Sequence, residues 1–130
     1  MPLVPGRVFD SRWAIFGAAT VASGQNFQIN VSHRRTLDGT LDLLNFVPAG
    51  ASAITFNLAI TDTVGQGFLA ITPGDAAGFG AASINWFGGN QALNNGTVSS
   101  LDANRLVTVW CGGSVDAQTH MIIDVTSYFI

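Results

Sequence analysis

The stretch that decides the fold is residues 119–130, THMIIDVTSYFI. Positions 121, 123 and 125 are Met, Ile and Val, and the positions between them are partly polar. An alternation with a period of two is typical of a β-strand with one fully buried face. The last three residues, Tyr128, Phe129 and Ile130, are bulky and apolar, which is unusual in a loose terminus. The stretch therefore predicts a strand that lies inside a sheet, with its end docked on the rest of the protein.

The composition of the whole chain agrees with a β fold. Its charged residues are five Arg and eight Asp, without any Lys or Glu. Lys and Glu are good helix formers on exposed faces, whereas the 15 Gly and the many β-branched and aromatic residues favour strands and turns. A length of 130 residues suits one domain, 1–130, which is large enough to fold without a disulfide or a metal ion.

Strand-like segments recur along the chain at intervals of roughly 10 to 14 residues, separated by turn residues. Residues 54–72 look like a hairpin, and Asn95-Gly96 looks like a tight turn ahead of the next strand. Residues 41–47 fit either a strand or a short helical turn. Residues 1–6 contain two prolines and are predicted to form an extended N-terminal arm. This pattern predicts an antiparallel β-sandwich or jelly roll of about eight strands.

Charge and hydropathy exclude several classes of partner. The net charge is −3, so no basic stripe is available for nucleic acid or for an anionic membrane surface. No stretch approaches the ~20 apolar residues of a membrane helix, and residues 1–6 lack the features of a signal peptide. Because 48% of the residues are hydrophobic and only 10% are charged, we expect exposed apolar patches of the kind that often mark partner contacts. Self-association is the simplest explanation for such patches.

Few residues suggest chemistry. Cys111 lies in a strand-like run and is expected to be a small buried hydrophobe rather than a nucleophile. His33 and His120 are far apart and neither belongs to a metal-binding motif, and His120 is expected to be a half-buried hydrogen-bonding residue. The eight Asp are scattered, mostly in turns, where turn formation is the favoured interpretation and calcium held by assembled loops is the alternative. We therefore predict no catalytic residue, no cofactor and no metal site, and we expect that the protein is not an enzyme.

Charges on strand-like stretches are the exception among these residues. An unpartnered buried charge costs several kcal/mol, so charges on the strands of so apolar a chain are expected to be paired. The hypothesis is that Asp124 meets Arg7 or Arg12 and ties the first strand to the last. The alternative is that each of these side chains points to water.

Aromatic residues raise a second possibility, which is a glycan-binding platform. Sugars stack on flat aromatic faces that have amide or carboxylate groups nearby. The candidate residues are Trp86, Asn85, Asn90 and Gln91. Packing in the core is nevertheless the favoured interpretation for at least two of the three Trp.

Several segments resemble, in the same order, a β-rich repeat unit of large exported surface proteins of actinobacteria and some other bacteria. Residues 7–12 match its Arg-Val-(Leu/Phe)-Asp-(Thr/Ser)-Arg opening. The other matching segments are 56–61 (FNLAIT), 67–73 (GFLAITP), 83–86 (SINW) and 120–129 (HMIIDVTSYF). The resemblance implies a β fold and supplies no catalytic residues. This chain is expected to differ in being a free-standing single unit, and it contains an insertion-like region at 17–38.

These observations favour a structural role. The first hypothesis is a non-enzymatic assembly protein that forms a homotrimer on a larger particle, such as a decoration or cement protein on a capsid shell. Its location would be the virion surface, after synthesis in the host cytoplasm. A trimer is expected by analogy, because jelly rolls often assemble around threefold axes. The alternative is a cell-surface or secreted carbohydrate-binding or adhesion module.

Overall fold

A computed structural model describes residues 1–130 and contains eleven β-strands and one 3₁₀ turn, Ala14–Phe16. The strands are β1 (Pro2–Asp10), β2 (Val21–Ala22), β3 (Asn26–Asn30), β4 (Arg34–Arg35), β5 (Leu41–Leu43), β6 (Ala53–Val64), β7 (Gly67–Pro73), β8 (Ile84–Trp86), β9 (Leu93–Ser100), β10 (Leu106–Gly113) and β11 (Gln118–Phe129). Every strand pairing is antiparallel. The predicted all-β, antiparallel fold class is therefore confirmed. The structure holds no helix with the length and apolar character needed to cross a membrane.

Two sheets, one of five strands and one of four, form the body of the protein. The first sheet has the order β1-β11-β6-β9, with the short β2 also paired to β11, and the second has the order β3-β10-β7-β8. When the short β2 is left out, each of the remaining eight strands of these two sheets is followed, in chain order, by one in the opposite sheet. The exception is β7, which is followed by β8 in the same sheet. This is the connectivity of a jelly roll with eight main strands. The hairpin β4–β5 stands apart as a small two-stranded sheet.

The core lies between the two main sheets. β11 occupies the interior of the first sheet, between β1 and β6, and its Met121, Ile123 and Val125 are fully buried, as the alternation predicts. Phe56 and Leu58 on β6 pack into the same cluster. Each such side chain contributes roughly 1.5 to 3 kcal/mol by leaving water, so the two central strands hold the sandwich together.

The prediction of a hairpin over 54–72 is wrong. β6 and β7 are joined by the short turn at Gly65 and Gln66, but β6 pairs with β11 and β9, whereas β7 pairs with β10 and β8. The turn carries the chain from one sheet to the other. Both arrangements bury the same alternate side chains, so the local pattern is identical for a hairpin and for a crossover.

The prediction of a tight turn at Asn95-Gly96 is also wrong. Both residues lie within β9, where Gly96 is opposite Asn57 and Asn95 is opposite Leu58. β9 pairs only with β6 and is therefore an edge strand. A polar, exposed edge strand accepts turn-forming residues that an interior strand would not, because one side of its backbone faces water.

The predicted N-terminal arm is extended, but it forms the first part of β1. Pro2 is opposite Ser127 and Gly6 is opposite Val125, with an irregular register between them. The amino group of Met1 donates to the carbonyl oxygen of Tyr128 at 2.7 Å. Proline is tolerated here because β1 is an edge strand and the bulge removes the need for regular backbone donors. Residues 1–6 therefore pair with β11 of the same chain and do not form a free arm.

Residues 41–47, for which two interpretations were open, divide into two parts. Leu41–Leu43 form the short strand β5, and the chain then leaves the strand. Phe46 and Val47 are buried in the loop that follows. The hydrophobic pattern of residues 41–47 is irregular because the segment changes from a strand to a loop at Leu44.

Candidate functional site

An ion network connects the first strand to the last. Arg7 Nε donates to Asp124 Oδ1 at 2.9 Å, and Arg7 Nη2 donates to Asp124 Oδ2 at 3.3 Å. Arg12 has a different partner, because its Nε and Nη2 donate to the two oxygens of Asp10 at 2.9 and 2.7 Å. Arg7 Nη1 also reaches Asp10 Oδ2, at 3.4 Å. Of the two arginines proposed for Asp124, the structure thus places Arg7 against it.

Asp10 is the buried centre of this network. Burial by itself would raise the pKa of Asp10, but hydrogen bonds from the side chain and backbone of Arg12, together with the charges of Arg12 and Arg7, outweigh that effect and hold the pKa below its usual range. The hydrogen bond to Asp10 in turn raises the pKa of Arg12. Each charge is satisfied inside the network, so the arrangement is suited to joining strands.

The two histidines are hydrogen-bonded within separate parts of the fold. His120 is half-buried on β11, and its Nδ1 lies 2.9 Å from Ser11 Oγ. The same hydroxyl accepts the backbone N–H of Met121 at 2.8 Å, which leaves its proton free to be donated to His120. His33 Nδ1 accepts the backbone N–H of Asn45 at 2.9 Å. No group of three or more His, Cys, Asp or Glu side chains has the arrangement of a metal site.

Cys111 is buried on β10. Burial raises the pKa of its thiol to about 11. A thiol with this pKa is almost entirely protonated at neutral pH and is a poor nucleophile.

The structure contradicts the glycan platform at Trp86. This side chain is fully buried, and its Nε1 donates to the carbonyl oxygen of Val64 at 3.0 Å. Asn85 and Asn90 are exposed and Gln91 is half-buried, but no face of the indole is open to a sugar. Trp86 is buried because β8, although an edge strand, has its apolar side covered by the opposite sheet.

The other two tryptophans have different environments. Trp13 is buried, as Trp86 is, which agrees with the expectation that at least two of the three belong to the core. Trp110 is half-buried, and its ring centre lies 5.6 Å from that of Phe79.

Most of the exposed large hydrophobic side chains lie on segments that neighbour β1 in the fold. Sixteen large hydrophobic side chains are exposed, and ten of them lie on β1, on the turn after it, on or beside the β4–β5 hairpin, or at the C-terminus. We name these ten the β1-side surface: Met1, Val4, Ile15, Phe16, Leu37, Leu41, Leu43, Leu44, Phe129 and Ile130. The backbone of Phe129 is paired in β11, but the side chains of Phe129 and Ile130 are 48% and 81% exposed, so the prediction that the C-terminal end is docked is wrong for these two side chains. Exposed apolar side chains that cluster on neighbouring segments of a soluble protein are typical of contacts with partners.

Hydrogen bonds and strand contacts hold the parts of this surface together. Met1 is hydrogen-bonded to Tyr128, so the two ends of the chain are adjacent. β4 lies beside β1, and Trp13 Nε1 donates to the carbonyl oxygen of Leu37 at 2.8 Å. The turn after β1 and the β4–β5 hairpin are therefore fixed against each other.

The β4–β5 hairpin presents its leucines to solvent. Arg34 Nε donates to Asp42 Oδ2 at 2.8 Å across the two strands. Leu41 and Leu43 alternate with Asp42 and lie on the other face of β5, where 49% and 44% of their surface is exposed. The outer edge of β5 has no strand partner. An open edge with apolar side chains is a template for contact with another chain.

Sequence patterns missed the β1-side surface. An exposed leucine and a buried one look alike in a short strand. The only available signal was the excess of hydrophobic over charged residues, which predicts that such a surface exists but not where it lies.

Comparisons with known proteins give little further information. No protein-family model matches the chain, and no curated protein matches it. Among solved structures, the coat protein of Tobacco streak virus is similar, with a TM-score of 0.43 and 12% sequence identity over 96% of this chain and 85% of that chain. A likeness at this level gives no information about function.

Proposed function

We propose that this chain is a non-enzymatic structural protein that assembles with copies of itself into a homotrimer on a larger protein shell, as a capsid decoration protein does. The observation that carries the proposal is the β1-side surface, which holds ten of the sixteen exposed large hydrophobic side chains. The location that follows from this proposal is the surface of a virion.

The energetic argument concerns water. Apolar surface left in water forgoes roughly 25 cal/mol for each Å² that a partner could cover. A stable protein contact covers about 800 Å² on each partner. A surface formed by ten large side chains has the composition that such a contact requires, because interface centres are apolar and poor in charge.

A ring of three copies needs two different faces, since the β1-side surface must meet another part of the next copy. The outer face of the first sheet is suited to this role. Its short side chains leave a shallow groove between β6 and β9, lined by Thr55, Asn57, Gly96, Val98 and Thr126. Bulky side chains of a neighbour can approach the backbone there without a steric clash.

The test is the mass of the purified protein in solution, measured by light scattering over a range of concentrations. We expect three times the 13.6 kDa mass of one chain. The double variant Leu37→Asn/Leu44→Asn removes side chains that are 81% and 60% exposed, and should dissociate the trimer. The control Phe87→Asn/Val115→Asn changes side chains that are 75% and 100% exposed and lie outside the β1-side surface and the groove, so it measures the effect of removing exposed hydrophobic groups elsewhere on the protein.

Two outcomes contradict the proposal. A monomer at every concentration removes the assembly role, and equal weakening by both double variants removes the assignment to the β1-side surface. The control should leave the mass unchanged, because neither Phe87 nor Val115 belongs to the β1-side surface or lines the groove. The particle is tested separately: neighbouring genes for capsid proteins support a virion, whereas repeated units in the full gene support a cell-surface protein.

A further inference from the structure

We propose that a cleft between β1 and β3 binds a small organic carboxylate with an aromatic or aliphatic body. The cleft has a volume of about 380 Å³ and lies where the edges of the two sheets face each other. Small-molecule sites range from about 300 to 1,000 Å³, so this cleft is large enough for a single ring with one substituent.

Three phenylalanines form the apolar part of the wall. The ring centre of Phe9 lies 4.9 Å from that of Phe16 and 6.1 Å from that of Phe27. The three rings come from β1, from the turn after it and from β3, so both sheets contribute. Rings at these distances and tilts offer faces and edges to a planar or branched apolar group.

Arg35 supplies the charge. Its guanidinium lies 5.2 Å from the ring centre of Phe16, and its Nη1 donates to the carbonyl oxygen of Gly39 at 2.7 Å. Arg35 lines the cleft and is half-buried, yet no carboxylate lies within ion-pair distance of it. Three of the other four arginines are paired with Asp. A half-buried guanidinium without a counter-charge attracts an anion.

The other polar groups of the cleft also favour a ligand that accepts hydrogen bonds. The amide oxygens of Gln25 and Asn30 accept the backbone N–H groups of Ala22 and Ser32. The amide nitrogens of Gln25 and Asn30 have no protein acceptor and remain available as donors. The cleft therefore offers one positive charge and several donors beside an apolar wall. A carboxylate fits one planar guanidinium, and its apolar body fits the rings.

The experiment uses benzoate as the probe, titrated into isotopically labelled protein at constant ionic strength and followed by amide NMR shifts. Benzamide retains the ring without the charge, and acetate retains the charge without the ring. We expect saturable shifts at residues of the cleft, with a dissociation constant on the order of 1 mM for so small a ligand. Benzamide and acetate should bind about tenfold more weakly or worse.

The variant Arg35→Gln should weaken benzoate about tenfold. Arg105→Gln is the matched control, because Arg105 also lacks a carboxylate partner but does not line the cleft. Equal binding of benzoate and benzamide by the unmodified protein overturns the proposal, since the charge would then play no part. It is also overturned by the absence of saturation, by unchanged binding in Arg35→Gln, or by tighter binding of glucuronate, which would indicate an acidic sugar. The comparison of the three probes needs no variant, so it decides the question even if Arg35→Gln does not fold.

Discussion

The substitution Asp10→Asn tests the ion network most directly, because Asp10 accepts hydrogen bonds from both Arg7 and Arg12. The side chain of Asp10 is only 3% exposed, whereas those of Arg7 and Arg12 are 25% and 45% exposed. The change removes the negative charge and places an amide N–H₂ group beside two guanidinium groups. Shape and volume are almost unchanged, so the effect reports the loss of the charge together with one hydrogen-bond acceptor.

Removing one partner from a buried ion pair costs about 3 to 5 kcal/mol. Because both arginines keep access to water, we take the lower end and expect a loss of about 3 kcal/mol in the free energy of unfolding at pH 7. A chain of this size has an unfolding entropy that converts 1 kcal/mol into roughly 4 °C of Tm. The expected decrease in Tm is therefore roughly 12 °C.

The assay is thermal unfolding followed by circular dichroism, with Asp42→Asn as the control. Asp42 also pairs with an arginine, at 2.8 Å, but its side chain is 42% exposed. Exposed pairs contribute at most about 1 kcal/mol, so the control should lose less than about 4 °C. A decrease for Asp10→Asn no larger than that of the control refutes the reasoning, because the burial of Asp10 would then have no energetic consequence.

The dependence on pH gives a second check on the same variant. The pKa of Asp10 in the folded protein lies below its ordinary value of 3.8. Between the folded and unfolded pKa values the unfolded state binds more protons, so the stabilisation is complete above about pH 5 and is lost as the pH falls below about 4. The difference in Tm between the unmodified protein and Asp10→Asn should shrink over that acidic range. A difference that stays constant down to pH 2 contradicts the electrostatic explanation.

Three further predictions concern other parts of the fold. Asp124→Asn breaks the ion pair between β11 and β1 and should lower the free energy of unfolding by about 1 kcal/mol in chemical denaturation, whereas an unchanged value would show that the pair contributes nothing. Gly67→Ala should lower the free energy of unfolding by roughly 1 to 3 kcal/mol, because a Cβ atom there would lie 2.4 Å from the ring of Trp86. The control Gly78→Ala has open space around it and should leave the free energy of unfolding unchanged. Equal stability of the two variants would argue against tight packing at Gly67. Cys111 should react with iodoacetamide at pH 8 about 100-fold more slowly in the folded protein than in denaturant, since burial raises its pKa to about 11, and equal rates would contradict its burial.

The sequence by itself determined the fold class and which side chains of each strand point into the core. Met121, Ile123 and Val125 are buried, and so are Ile54, Phe56, Leu58 and Ile60 on β6, where the alternation places them. This succeeds because the period of a strand is a local property: successive side chains point to opposite faces whatever the strand pairs with. The absence of Lys and Glu and the abundance of Gly likewise act locally, residue by residue, against helices.

Only the tertiary structure decided which strands pair and which apolar side chains stay in water. It separated β6 from β7 at Gly65, placed Arg7 rather than Arg12 against Asp124, buried Trp86, and left Leu41 and Leu44 exposed. Each of these outcomes depends on contacts between residues far apart in the chain. Alternatives that bury the same local face are indistinguishable in the sequence pattern, and their free energies differ only through those distant contacts.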